Sequence, residues 1–271
     1  TSTEPLIFAA LGQMFIILCG DCDMGNGYSI ALVNVLVGTI LTGNPLVGLV
    51  GLLIFIAAYM GMAALIHLRN IPAIVVTLGA QFVWYGIALI LCPTPGGSCP
   101  EMISNFFKLK TPVIPLPIII AVLAGLVCWM ILYRTRYGMV MRGIGNNPNS
   151  VERSGWNYLT AKMVNYGMAG LMVVLAGMTY TVSCNGADAN SSVNYCMLSI
   201  ATVILGGCEM AGGVVAPAGV VIAAVAMNLI NSLLTAMKVD SNYQTAIIGL
   251  ILIGVLAFKF IIHRKGASRN E

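Results

Sequence analysis

The sequence predicts an all-α, polytopic integral membrane protein with two parallel pseudo-repeats and broken, re-entrant helices. Three observations lead there. Hydrophobic residues make up 59% of the 271-residue chain and charged residues only 8%, with a mean hydropathy of +0.93; a soluble domain carries about 25% charged residues. The apolar residues gather into runs that are best counted as membrane spans of about 20 residues. A pattern of Cys, acid, Met and glycines occurs twice, as Cys22-Asp23-Met24-Gly25-Asn26-Gly27 and as Cys208-Glu209-Met210-Ala211-Gly212-Gly213, each time at a break between apolar runs. Broken helices at corresponding positions of two repeats point to a translocation site.

In chain order the apolar segments are 5–20, 28–41, 45–67, 72–92, 112–133, 161–184, 195–207, 214–237 and 244–263. Pro5, Pro45, Pro72 and Pro112 stand near segment starts, where a missing N–H costs little. All are expected to be helical, because lipid leaves no other open spanning structure. Segments 5–20, 28–41 and 195–207 are short. At about 1.5 Å per residue they reach roughly 20–24 Å, less than a hydrocarbon core about 30 Å thick. The breaks at 20–27 and 206–213 are therefore expected inside the membrane, buried in protein or lining a wet cavity.

Basic residues set the orientation. Arg134, Arg136, Arg142, Arg153 and Lys162 crowd one loop, and Arg264, Lys265 and Arg269 crowd the C-terminal tail; both are expected in the cytoplasm. Counting crossings backward puts Arg69 inside, and the 93–111 loop and Thr1 outside, with Lys108 and Lys110 running against the rule. The chain divides into a first transmembrane repeat, 1–133, a cytoplasmic loop, 134–160, and a second repeat with its tail, 161–271. The second repeat has a full helix ahead of its broken segment and the first has none, so a further helix ahead of Thr1 is expected. The first apolar run is not a secretory signal, since it lacks a basic n-region and a small-residue cleavage site.

Intramembrane acids are functional candidates by default, and Asp21, Asp23 and Glu209 qualify. One reading makes them a polar lining or gate, with Asp23 and Glu209 equivalent. The other makes them helix caps beside glycine turns. A proton relay is disfavoured because no basic residue accompanies them. Gln81 follows Thr77 by one helical turn on the same face; the pair could bind a polyol or bond between helices. Asn34, Asn228 and Asn231 carry the same ambiguity. Trp84, Tyr85, Trp129, Tyr133 and Tyr180 are expected in the interfacial belt.

Cys92 and Cys99 bracket one outer loop and Cys184 and Cys196 another, making two candidate disulfides or four small apolar fillers. Cys19, Cys22, Cys128 and Cys208 look like packing residues. The two histidines, His67 and His263, give no metal-ligand spacing. In the cytoplasmic loop Asn147 can cap a short helix with Pro148 at its first position, and Gly155 can end it in a left-handed cap. That helix is either a coupling element for a soluble motor or part of a basic loop that sets topology. No phosphate-binding Gly-x-x-x-x-Gly-Lys pattern is present, so ATP hydrolysis must reside elsewhere.

At five places in order the residues resemble one family. Gly20-Asp-Cys-Asp-Met-Gly-Asn-Gly27 is similar to the Gly-Gly-Ile-Asp-Leu-Ser-x-Gly signature of ribose-type ABC sugar permeases, and Ile71-Pro-Ala-Ile-Val-Val-Thr-Leu-Gly79 to their Ile-Pro-x-Phe-Ile-x-Thr-Leu-Gly. Arg134-Thr-Arg-Tyr-Gly138 resembles Arg-Thr-x-Phe-Gly, and 145–157 resembles the Gly-Gly-Asn-x-x-Ala-Ala-x-x-Ser-Gly-Ile-Asn loop. Residues 206–213 resemble Gly-Gly-Thr-Ser-Leu-Ser-Gly-Gly. The departures are Asp21 and Cys22 for Gly-Ile, Gly25 for Ser, Val151 and Glu152 for small residues, and Cys208-Glu209-Met210 for Thr-Ser-Leu.

The resemblance implies a permease subunit in a bacterial inner membrane, with no catalytic residue and no cofactor of its own. Its partners would be a cytoplasmic ABC ATPase holding ATP and Mg, a periplasmic or lipid-anchored substrate-binding protein, and a second permease chain, identical or homologous. The substrate would be a small hydroxylated solute, foremost a monosaccharide, moved by alternating access. Asp21, Asp23, Asn26, Thr77, Gln81 and Glu209 would lie on its pathway; Asn147, Pro148, Ser150, Glu152, Arg153 and Gly155 would couple to the ATPase. Two alternatives stand beside it: a branched-chain amino-acid-type permease whose acids meet a substrate ammonium, and a secondary transporter using Asp23 or Glu209.

Overall fold

The computed structural model describes residues 3–107, 116–240, 243–244, 246–247, 249–251, 253–254 and 257. Lys108, Lys110, most of the expected segment 244–263, and Arg264, Lys265 and Arg269 lie outside them. The described residues form helices and no strand; one isolated antiparallel bridge joins Gly96 to Ala187.

The order is α1 (Glu4–Leu18), α2 (Asn26–Val35) with a π-helical extension (Leu36–Leu41), α3 (Pro45–Arg69), α4 (Ala73–Leu91), α5 (Glu101–Phe107) and α6 (Leu116–Arg134). After these come α7 (Arg136–Asn146), α8 (Pro148–Arg153), α9 (Tyr158–Cys184), α10 (Tyr195–Leu205) and α11 (Pro217–Ala236). Among the described residues α3, α4, α9 and α11 are long and apolar enough to cross a membrane. With the short apolar helices 4–18, 26–41 and 195–205 this is the polytopic all-α architecture that composition predicts.

The short helix α1 is the centre of the molecule. All 15 of its residues are buried, Glu4 and Gln13 among them, as expected for a helix apolar on nearly every side. It packs on α9, α10, α11 and α6. Gly12 lets α1 and α9 approach until a Cβ there would meet the Ala169 carbonyl at 3.2 Å.

Two ends can be distinguished. At one, here the loop end, Ser98 N–H donates to the Gly38 carbonyl at 3.1 Å and Asp188 N–H to Asn34 Oδ1 at 2.9 Å. At the other, the junction end, lie the C-terminus of α1, the helices α7 and α8, and the start of α9. Helices α1 and α10 run toward the junction end, and α2 and α11 run away from it.

Helix ends follow local chemistry. Asn44 caps α3 through Val47 N–H and Asn157 caps α9 through Thr160 N–H. Asn70 closes α3 in a left-handed turn at φ 50. Between α6 and α7 the axis bends by 80°. Thr135 makes that bend: it is extended and accepts Gly138 N–H at 3.0 Å, so α7 leaves the span and lies across the junction end. Arg142 stacks 4.4 Å over the Tyr133 ring there.

Two aromatic expectations are corrected: Tyr180 is buried against Tyr195, and Trp84 departs further. Trp84 is buried rather than interfacial, stacked at 9° on Tyr59 and packed on Phe55. It sits mid-way along α4, where the α3 face supplies a wall of rings in place of lipid headgroups.

Candidate functional site

The first break is a non-helical stretch of chain set into a helical bundle, with Asp23 and Gly25 buried. After Leu18 the chain turns through Gly20 at φ 77 and runs back along α10, where Cys22 and Met24 pack on Cys196, Ile200 and Ile204. Non-helical backbone at this depth survives only if its polar groups are satisfied. The Gln13 carboxamide, in the orientation that satisfies both its atoms, accepts Asp23 N–H at 3.1 Å and donates to the Asp23 carbonyl at 3.3 Å. The Thr77 hydroxyl accepts Met24 N–H at 3.2 Å and lies 3.2 Å from the Cys22 carbonyl. The Cys196 thiol lies 3.0 Å from the Met24 carbonyl.

Asp23 is 2% exposed, and both its oxygens are engaged. Oδ1 accepts Gly25 N–H at 2.7 Å and Oδ2 accepts the Tyr59 hydroxyl at 2.8 Å. Tyr59 has one proton, so the Ser29 hydroxyl, also 2.8 Å away, donates to it. Asp23 thus steadies the start of α2. Asn26 donates to the Ala9 carbonyl at 3.2 Å and to Ser199 Oγ at 3.0 Å, while its own Oδ1 is buried without a partner among the described residues.

Asp21 has a basic neighbour, which corrects the sequence reading. Lys162 Nζ lies 2.7 Å from Asp21 Oδ2, and the Tyr166 hydroxyl donates to the same oxygen at 2.8 Å. Lys162 does not belong to the exposed loop with Arg153; it is buried in the first turns of α9 and points back at the break. It is the one basic residue at the head of an otherwise apolar run, a signal that sequence reasoning passed over. Tyr59, Tyr166 and Gln13 gave none.

The second break has a different form. Residues 207–213 make a tight loop in which Glu209 N–H donates to the Val214 carbonyl at 3.1 Å and Gly212 N–H to the Glu209 carbonyl at 3.1 Å. Glu209 is exposed. The expected equivalence of Asp23 and Glu209 fails at the level of environment: the first break runs back along α10 while the second stays at the junction end.

The two breaks meet. Gly213 N–H donates to the Leu18 carbonyl at 3.1 Å. The end of α7 closes over this contact: a Cβ on Gly145 would overlap the Leu18 carbonyl and Gly213 N, and one on Gly213 would overlap the Asn146 carboxamide. After the extended residue Asn147, α8 follows and ends as predicted. Gly155, at φ 80, donates to the Glu152 carbonyl at 3.0 Å, and Trp156 N–H to the Val151 carbonyl at 3.3 Å, the paired bonds of a Schellman cap. Asn147, Glu152, Arg153 and Gly155 are exposed; the side chains of Pro148 and Ser150 lie outside the described set. On the buried side Val151 and Trp156 pack with Cys19, Ile144 and Ala161.

A cavity of about 380 Å³ opens beside the first break, lined by Met24, Tyr28, Leu78, Gln81, Asn194 and Met197 among others. Of the predicted pathway residues only Gln81 lines it. Thr77, Asn26 and Asp23 are buried behind the wall, and Asp21 and Glu209 belong to the junction end. Among the described residues no carboxylate or amine lines the cavity.

The candidate disulfides are not formed. Cys92 directs its sulfur at the Thr94 carbonyl and Cys99 at that of Pro100. Cys196 faces Met24 across the break, while Cys184 is exposed at the end of α9. Among the described residues no cluster of His, Cys, Asp or Glu could hold a metal.

The sequence pattern of the family described as "Branched-chain amino acid transport system / permease component" matches residues 1–256. The ribose import permease protein RbsC of Bacillus subtilis (strain 168) is 31% identical over 254 residues, covering 91% of this chain and 79% of that protein. The D-allose transport system permease protein AlsC of Escherichia coli (strain K12) is 25% identical over 271 residues, covering 95% and 81%. The autoinducer 2 import system permease protein LsrD of Enterobacter sp. (strain 638) is 24% identical, covering 94% and 82%. No solved structure matches the chain.

Proposed function

The chain belongs to the branched-chain amino acid transport system / permease component family, a family of transport subunits and not of enzymes, and from that premise we propose that it is the permease subunit of an ATP-driven importer of a small, neutral, hydroxylated solute such as a monosaccharide. One observation carries the reading: the end of α7 rests directly on the contact between the two broken turns. A push on α7–α8 from the cytoplasm therefore reaches both breaks without an intervening element. Asn147, Glu152, Arg153 and Gly155 form the surface offered to an ABC ATPase, which holds ATP and Mg. A substrate-binding protein and a second permease chain complete the assembly. The membrane is a bacterial inner membrane, with α7, α8 and the C-terminal tail in the cytoplasm.

The cavity is mostly apolar, and two polar side chains on its wall favour a hydroxylated solute. Gln81 and Asn194 offer carboxamides that both donate and accept, and Tyr28, tilted against Tyr85 at 5.0 Å, offers a ring face. The relatives named for ribose and D-allose fit such a lining. The amino-acid alternative needs a carboxylate for the ammonium, and both oxygens of Asp23 are engaged elsewhere. The secondary-transport alternative meets the same obstacle at Asp23, and at Glu209 it has an exposed acid outside the cavity.

The test is uptake into proteoliposomes carrying the chain with its copurified ATPase and binding protein. ATP-dependent accumulation of ribose, with a KM raised about tenfold by Gln81→Leu through loss of a hydrogen bond worth about 1.4 kcal/mol, supports the reading. Accumulation driven by an ion gradient without ATP, or of leucine in place of ribose, overturns it.

A further inference from the structure

The ion pair of Asp21 and Lys162 has no part in lining the cavity, yet it is buried at the junction end, with side chains 14% and 6% exposed. A buried pair is weak evidence for stability, because desolvation offsets its attraction; its best-attested use is to hold one arrangement among several. Here it holds the first break to one face of α9. Lys162 and Tyr166, one helical turn apart, both grip Asp21 Oδ2, and Asn165 between them donates to Cys19 Sγ at 2.9 Å. The same two turns of α9 carry Ala161 and Tyr158, which form the seat of α8 with Val151, Trp156, Ile144 and Cys19. The Lys162 ammonium stands 6.0 Å from the Tyr158 ring, which itself lies 4.9 Å from the His67 ring of α3.

We propose that Asp21 and Lys162 are positioning residues that tie the first broken turn to the seat of the coupling helix, so that displacement of α8 moves the non-helical stretch 21–24 and the cavity wall at Met24. This rests on the importer reading above. The packing between α8 and Cys19 is made by small or flat apolar surfaces, which can slide. The ion pair cannot slide without leaving a buried charge uncompensated, so the start of α9 and the break move as one body. Asp21 is also a position where this chain departs from the ribose-type pattern, with a carboxylate in place of glycine.

The test compares four forms of the permease in complex with its ATPase and binding protein: unaltered, Asp21→Asn, the neutral double variant Asp21→Asn/Lys162→Met, and the exchange Asp21→Lys/Lys162→Asp. The readout is the amount of ribose taken up per ATP hydrolysed. The single variant leaves Lys162 buried alone and is expected to be poorly recovered from membranes. The double variant buries no charge and is expected to be recovered, to hydrolyse ATP, and to move about fivefold less ribose per ATP, or less still. The exchange is expected to restore at least half of the loss. Undiminished uptake per ATP in the double variant overturns the proposal, as does failure of the exchange to restore coupling when it is recovered in the membrane. If the unaltered complex takes up no ribose with ATP, the importer reading itself fails, a result distinct from both.

Discussion

Gly213 N–H donates to the Leu18 carbonyl at 3.1 Å, and Gly145 of α7 packs edge-on against both partners. This contact joins two breaks from opposite halves of the chain to the segment between them. It explains why three glycine-bearing motifs, far apart in sequence, share one demand for absent side chains.

Gly145→Val tests that contact. A side chain there has no space without driving backbone from backbone, because Leu18 and Gly213 present main-chain atoms that cannot rotate away. The expected cost is about 1–3 kcal/mol, read as a lower thermal midpoint of the detergent-purified protein. An unchanged midpoint with uptake intact would show that the junction is looser than described.

The hydrogen bonds of Asp23 distinguish a structural from a substrate-binding acid. Tyr59→Phe strips a buried carboxylate oxygen and Ser29 of their shared partner and should cost about 1–3 kcal/mol. Asp23→Asn keeps an acceptor for Gly25 N–H and should cost less, with ribose uptake within about twofold of the parent, a difference below 0.5 kcal/mol. Loss of uptake in Asp23→Asn at full stability would move Asp23 onto the solute path.

Gly155 is held at φ 80 by the cap of α8. Gly155→Ala should cost about 1–2 kcal/mol locally. Gly155→Pro also removes the N–H that bonds to Glu152 and demands φ near −65°. The expected result is a folded permease whose partner ATPase no longer responds to loaded binding protein. Unchanged stimulation of ATP hydrolysis would show that α8 does not couple.

Thiol content is a separate check on the loop end. Denatured without reductant, the chain should accept iodoacetamide at all eight cysteines, seen as an intact mass carrying eight adducts. A mass short by two adducts would identify a disulfide, with Cys92–Cys99 and Cys184–Cys196 as the pairs to examine.

Several features of the fold were legible from local chemistry. The Pro45 and Pro148 starts, the Gly155 stop and both breaks follow from which residues can donate, accept or adopt a left-handed backbone. Gln81 was also legible, as a carboxamide one turn from Thr77 on an apolar helix, and it lines the cavity. Thr77 was singled out for the same reason but serves the backbone of the break, because rotation of α4 turns its face toward that non-helical stretch.

The sequence by itself determined that this is a membrane protein, where its long apolar segments lie, and that two of its membrane segments are broken; composition and short-range hydrogen bonding decide those, and both are written locally, whereas α5 and α7 carried no apolar run to mark them. The tertiary structure alone decided the fate of each acid. Asp21 meets Lys162, and Tyr166 from 145 residues away; Asp23 turns under Tyr59; Glu209, in a matching motif, stays exposed. Which side chain meets which depends on how far each helix is rotated and how closely α1, α9 and α10 approach. Those are properties of the packed bundle as a whole, where one small residue such as Gly145 sets a distance that no neighbouring residue reveals.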